Sequence, residues 1–129
     1  HPLVKDWKFF GVGVVVEDCE RATEYFLNLG FSLSKGVYEY QDLGLKLSRV
    51  QVGSMMFEFI EPTADSSVYQ ECLNTRGEGI ADMSFIVKDV KSETDSLISK
   101  GTAQLISTND YSLFDTRKEG NMIIRLSKE

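Results

Sequence analysis

The chain has 129 residues, 42% of them hydrophobic and 26% charged, with a formal net charge of −6. This is enough chain for one domain that buries its own core, and the composition excludes disordered and collagen-like proteins. An acid excess with no Lys/Arg cluster works against phosphate backbones and anionic membranes, so no nucleic-acid partner and no membrane partner are expected.

The opening stretch, HPLVKDWKFF, lacks the charged head, apolar middle and small-residue cleavage site of a signal peptide. No apolar run approaches membrane-spanning length, and a cytoplasmic location is expected. His1, the only histidine, stands at the terminus, so histidine chemistry is not expected. Residues 11–16, GVGVVV, read as a strand. Asp18 follows in N-cap position, and Ala22, Tyr25, Phe26 and Leu29 recur at i, i+3, i+4, i+7 as the apolar stripe of a helix that stops at Gly30. Three β-like stretches follow at 31–40, 43–52 and 54–60. Ser67 and Gln70 have capping-box spacing, which predicts a short connecting helix that ends before Gly77. Cys19 and Cys72 each fall in a predicted helix, with no spacing for a disulfide framework or a zinc site, so reduced thiols are expected.

The stretch TRGEGIADMSFIVKD then sets Asp82 at the mouth of an apolar run, where an unpaired carboxylate is costly. Its context is a repeat. Laying the segment from Gly11 over the segment from Asp82 matches Val16 with Val87, Asp18 with Asp89, Thr23 with Thr94 and Gly30 with Gly101. Val90, Leu97 and Ile98 form a weaker helical stripe, and β-like pieces follow near 103–108, 111–117 and 122–127, with a turn at 119–121. The expected organisation is a single domain of two strand–helix–three-strand halves: a first module at about 9–61, a connector helix at about 66–76 and a second module at about 80–127.

Side chains alternate along strands, so each core strand divides into two sets. One set is wholly apolar: Val12, Val14 and Val16; Phe57 and Phe59; Met83, Phe85 and Val87; Ile124 and Leu126. The other carries Gly11 and Gly13, Met56 and Glu58, Asp82 and Ser84, and Ile123 and Arg125. Overlaying FEF at 57–59 on IRL at 124–126 makes Glu58 and Arg125 repeat equivalents, as Gly11 and Asp82 are.

The stretches FEFIEP (57–62), SSVYQECL (66–73), RGEGIADMSFIVKD (76–89) and EGNMIIRL (119–126), in this order and spacing, resemble the vicinal oxygen chelate superfamily of glyoxalases, bleomycin-resistance proteins and dioxygenases. Locally they are most similar to methylmalonyl-CoA epimerase. The resemblance implies an α+β fold of two βαβββ modules that form an open, cup-like β-sheet, commonly in a homodimer. It also implies a divalent metal held by a His on the first strand and a Glu or Gln on the last strand of each module. The corresponding positions here are Gly11, Glu58, Asp82 and Arg125, of which only Glu58 keeps a usual ligand type.

A guanidinium at ~4 Å in an effective dielectric of ~20 opposes a divalent ion by roughly 8 kcal/mol, which nearly cancels what two carboxylates offer. No metal cofactor is therefore expected; the alternative keeps Glu58 and Asp82 as atypical ligands. Arg125 is expected to replace the ion by pairing with both carboxylates. The expected function is binding of a small molecule in the cup by Met56, Glu58, Asp82, Ser84 and Arg125. The alternative is a lyase, isomerase or epimerase acting on a small oxo-acid or CoA thioester, with Glu58 or Asp82 as base and Arg125 beside the oxyanion. Trp7, Phe9, Phe10, Tyr38, Tyr40, Tyr111 and Phe114 supply aromatic area for a rim, and 35–42 and 108–115 are taken as the loops that shape it. Arg76 is read as finishing the connector helix rather than contacting a CoA phosphate.

Overall fold

The computed structural model describes residues 4–129; His1 lies outside them. The described chain resolves into two compact units, one of residues 11–81 and the other of Asp82–Glu129 with residues 4–10. In the first unit, β1 (Lys8–Val15) is followed by α1 (Cys19–Asn28), β2 (Ser32–Tyr40), β3 (Leu45–Val52), β4 (Met55–Pro62) and α2 (Val68–Arg76). Its strands lie in the order β2-β3-β4-β1, with β1 parallel to β4 and the other pairs antiparallel. In the second unit, β5 (Gly79–Val87) leads to α3 (Val90–Ser99), β6 (Ala103–Ser107), β7 (Tyr111–Thr116), the single turn α4 (Arg117–Gly120) and β8 (Met122–Lys128). The order there is β5-β8-β7-β6, again with first and last strands parallel. Each unit is thus a βαβββ module, as the repeat predicts.

Local chemistry starts and stops the two equivalent helices in the same way. Asp18 and Asp89 sit in extended backbone and accept from the N–H groups of Arg21 and Ser92 at 3.0 and 3.1 Å, which satisfies helix donors that have no carbonyl partner. Gly30 and Gly101 end the helices at φ of 108° and 91°, a region closed to most side chains. Two other elements depart from the sequence pattern. The stretch expected to remain a strand to residue 117 ends at Thr116, where Arg117–Gly120 makes its helical turn and Asn121 closes it with φ 56°. Residues 41–43 form a 3-10 turn before β3.

Each unit packs its helix on the apolar strand face. In the first, Val16, Cys19, Val50 and Phe59 form the buried centre, with Ala22, Phe26, Leu27 and Val37 against it. The stripe expected on α1 is partly wrong, because Tyr25 is 60% and Leu29 58% exposed. The inward side is instead Cys19, Thr23 and Phe26, one and two turns apart, and the polar Thr23 hides it from a purely apolar count. In the second unit the centre is Val87, Val90, Phe114 and Leu126. No helix of the described residues is long and apolar enough to cross a membrane.

The repeat also extends to buried polar groups. Thr23 on α1 bonds Ser48 on β3 at 2.6 Å, and Thr94 on α3 bonds Ser112 on β7 at 2.9 Å. A buried hydroxyl deprived of its partner costs roughly 1–3 kcal/mol. Ser112→Ala is therefore expected to lower unfolding free energy by about that amount in urea titrations and Ser48→Ala by less, because Thr23 keeps the Cys19 carbonyl, whereas Thr94→Val with Ser112→Ala together cost less than the sum of the two singles.

Candidate ligand-binding site

The polar strand face of the first unit is set by register. Gly11 lies opposite Met56 and Gly13 opposite Glu58 in the β1/β4 ladder, while β3 places Gln51 beside Met56 and Arg49 beside Glu58. Glu58 is only 6% exposed, and Arg49 Nε donates to its Oε2 at 2.7 Å. Such a charge-assisted bond is what allows a carboxylate to stand at that depth. The cation beside Glu58 in this unit is therefore Arg49, a residue that sequence reasoning missed. It was legible nonetheless. The strands 43–52 and 54–60 meet in a tight turn, and counting back from Val52 opposite Met55 brings Arg49 to Glu58. Gly11 offers no side chain, and one cannot simply be added: its Cβ would collide with the Met56 carbonyl oxygen.

In the second unit Asp82 is 1% exposed and Ser84 is buried. The parallel β5/β8 register sets Asp82 opposite Ile123 and Ser84 opposite Arg125. Asp82 and Arg125 are therefore diagonal neighbours on one face, about 8 Å apart at Cα by sheet spacing. The Arg125 guanidinium also lies 5.4 Å from the centre of the Tyr111 ring, a cation–π distance. Across Ile123 from Asp82 stands Asp115, held bidentately by Arg117 with Nε–Oδ1 and Nη2–Oδ2 both 2.9 Å. These hydrogen bonds hold the Asp115 carboxyl below the usual carboxylate range.

The aromatic residues divide. Phe114 is fully buried in the core of the second unit and Trp7 packs against that core, with Trp7 5.3 Å and Phe9 5.6 Å from the Phe85 ring, so these three are not rim residues. Tyr38, Tyr40 and Tyr111 are opposite Leu47, Leu45 and Ser127, on the polar face. The segments taken as rim loops are mainly strand, in β2 and β7. Arg76 occupies the last turn of α2, where a cation meets the helix carbonyl end.

Among the described residues, one group of carboxylates lies close enough to share an ion: Asp18, Glu20 and Glu61, within 4.8 Å of one another. They belong to the helix side rather than to the face of Glu58, and all have other partners: Arg21 N–H for Asp18, Lys46 for Glu20 and Cys19 N–H for Glu61. Cys19 itself is a buried thiol whose pKa is pushed up by burial, so it is no nucleophile at neutral pH.

Two βαβββ modules of the same strand order define an α+β protein of the paired-module class. The chain belongs to the Glyoxalase/Bleomycin resistance protein/Dioxygenase superfamily, whose family model matches residues 11–117. Among solved structures it is similar to methylmalonyl-CoA epimerase from Mycobacterium tuberculosis, at 24% identity and TM-score 0.79 over 94% of this chain and 87% of that one. A Streptomyces coelicolor methylmalonyl-CoA epimerase variant in complex with 2-nitronate-propionyl-CoA gives 17% identity and TM-score 0.80 over 95% and 96%. A hypothetical protein from Bacillus halodurans C-125 gives 16% and 0.80 over 96% and 95%. None of the curated proteins matches the chain by sequence.

Removing Arg49 takes from the buried Glu58 carboxylate the cation bonded to it at 2.7 Å. Arg49→Met is expected to cost roughly 2–5 kcal/mol in denaturant unfolding, with much of the loss recovered in the double variant carrying Glu58→Gln. The Asp115 pair has a pH signature. Because its folded carboxyl gives up its proton at lower pH than the unfolded one, the pair stabilises above the unfolded pKa, and that contribution is lost as pH falls through the folded pKa. Arg117→Met should accordingly destabilise at neutral pH, by an amount that shrinks as pH falls below the ordinary carboxylate range.

Proposed function

We propose that this chain binds a small organic molecule on the polar strand faces of its modules and does so without the divalent ion of its superfamily. The observation that carries this reading is the Arg49–Glu58 pair: the one family-type ligand is already engaged by a cation at 2.7 Å. Gly11 adds to it, since a side chain there collides with the Met56 backbone, and Arg125 brings positive charge to a third position. A divalent ion on the first face would meet the Arg49 guanidinium and one on the second the Arg125 guanidinium, and neither residue set fits it. The groups offered to a ligand are Asp82, Ser84 and Arg125 on the face of the second module and, separately, Met56, Arg49 and Glu58 on the face of the first, in a protein that works as a homodimer in a reducing, cytoplasmic setting.

A second reading is favoured by the likeness to methylmalonyl-CoA epimerases. In it the chain acts on a CoA thioester or small oxo-acid, with Asp82 as the base and Arg125 stabilising the oxyanion that forms when a proton leaves the carbon beside the carbonyl. The likeness to these epimerases is at 24% identity or below and shows the fold alone, which places this reading second.

Two measurements separate the readings. Purified protein incubated with Zn, Ni, Co or Mn and freed of excess ion should retain no stoichiometric metal by elemental analysis. One ion per chain, lost in Glu58→Ala, would overturn the metal-free reading. Methylmalonyl-CoA titrated in heavy water should bind without exchanging its α-hydrogen; exchange that disappears in Asp82→Asn would establish the enzymatic reading instead.

A further inference from the structure

The outer corner of the first unit carries an arrangement that nothing above has used. β2 contains a bulge: Lys35 pairs with Arg49 and Tyr38 with Leu47, so β2 advances three residues while β3 advances two. Simple alternation would put Lys35 and Tyr38 on opposite faces. The extra residue at Gly36–Val37 puts them on the same one, and Val37 turns inward to the core. Tyr40, opposite Leu45, shares that face. The result is a platform: the Tyr38 and Tyr40 rings meet edge to face at 5.0 Å, and Lys35 Nζ sits 5.0 Å from the centre of the Tyr40 ring.

Three features show what the platform fits. Tyr38 is 63% exposed although it is a large aromatic residue. An open surface cleft runs along residues 38–43, lined by Tyr38, Tyr40, Gln41, Leu43 and the acids Glu39 and Asp42, with Lys35 outside the lining. Among the described residues Lys35 has no carboxylate within ion-pair distance, in a chain with 20 acidic against 14 basic side chains. Glu39, the acid between the two tyrosines, pairs in register with Lys46 on the opposite face, so it does not neutralise this corner. Ring area and an ammonium group, with apolar Leu47 beneath, together match one ligand chemistry.

We infer that this corner is a subsite for a planar aromatic ring bearing an anionic group, with the ring against Tyr38 and Tyr40 and its carboxylate or phosphate on the Lys35 ammonium. The inference rests on the reading of the chain as a small-molecule binder and supplies that reading with a ligand class. Arg49, next to Lys35 across the ladder, adds positive potential on the same row while remaining bonded to Glu58.

The test is an amide-resolved NMR titration of the whole protein with 1-naphthyl phosphate and with neutral 1-naphthalenemethanol. Shift changes are expected at residues 35–43 and at their β3 partners. Lys35→Met should weaken the phosphate about fivefold and leave the alcohol unchanged, and Tyr38→Ala should weaken both about tenfold. Both side chains are exposed, so both variants keep the fold, which their native-like spectra verify. Equal loss of both probes in Lys35→Met, or unchanged binding in Tyr38→Ala, would overturn the subsite. A footprint on Asp82, Ser84 and Arg125 alone would overturn it and leave the binding function standing. Silence throughout at millimolar probe would overturn it too, and the methylmalonyl-CoA titration then decides the broader function separately.

Discussion

Everything in each module follows from one pairing: its first strand lies parallel to its last. Two parallel strands cannot be joined by a hairpin, so the chain must leave the sheet, cross over through a helix, build an antiparallel pair outward and return. The crossover helix has to bury one strand face, and only an apolar face accepts it. Polar residues are thereby confined to the other face. Glu58 and Asp82 are not misplaced core residues; they stand where the parallel ladder has already separated the two sets.

Confinement does not remove the cost of burial. Glu58 and Asp82 are almost completely shielded from water, and an ionised carboxylate there requires compensating charge and hydrogen bonds. The superfamily's usual compensation is a metal ion. In the first module the compensation is covalently attached to the protein, as Arg49 on the strand next to Glu58. An arginine is always charged and always present, whereas an ion depends on its concentration and on the protonation of its ligands. Pairing of this kind holds the face in one electrostatic state.

The modular fold was legible because it is written in signals that act locally: Asp at two helix starts, Gly at two helix ends, and period-two alternation in the strands. The helix stripe misled for a physical reason, since the inward side of α1 includes Thr23, whose hydroxyl is satisfied by Ser48 and by the Cys19 carbonyl. Apolar counting does not register a polar residue buried with its partner. Phe114 and Trp7 were given to a rim because aromatic residues look alike in sequence whichever face they occupy. Arg49 was within reach through the register of its hairpin. The Lys35–Tyr38–Tyr40 platform was only partly within reach: Tyr38 and Tyr40 were expected at a rim, but a bulge inverts alternation midway through the strand, and Gly36 is its one local signal.

The two modules have diverged in a compensated way. Overlaying their ladders sets Arg49 against Leu113 and Glu58 against Arg125: where the first module has an acid on its last strand and its cation on the neighbour, the second has the cation on its last strand and an acid, Asp82, on its first. Asp115 and Arg117 then add a further pair of opposite charges to the second face. Each face therefore carries charges of both signs. Strand packing constrains the first face as much as residue type does, because a side chain at Gly11 meets the β4 backbone and removing Arg49 takes from buried Glu58 the cation bonded to it.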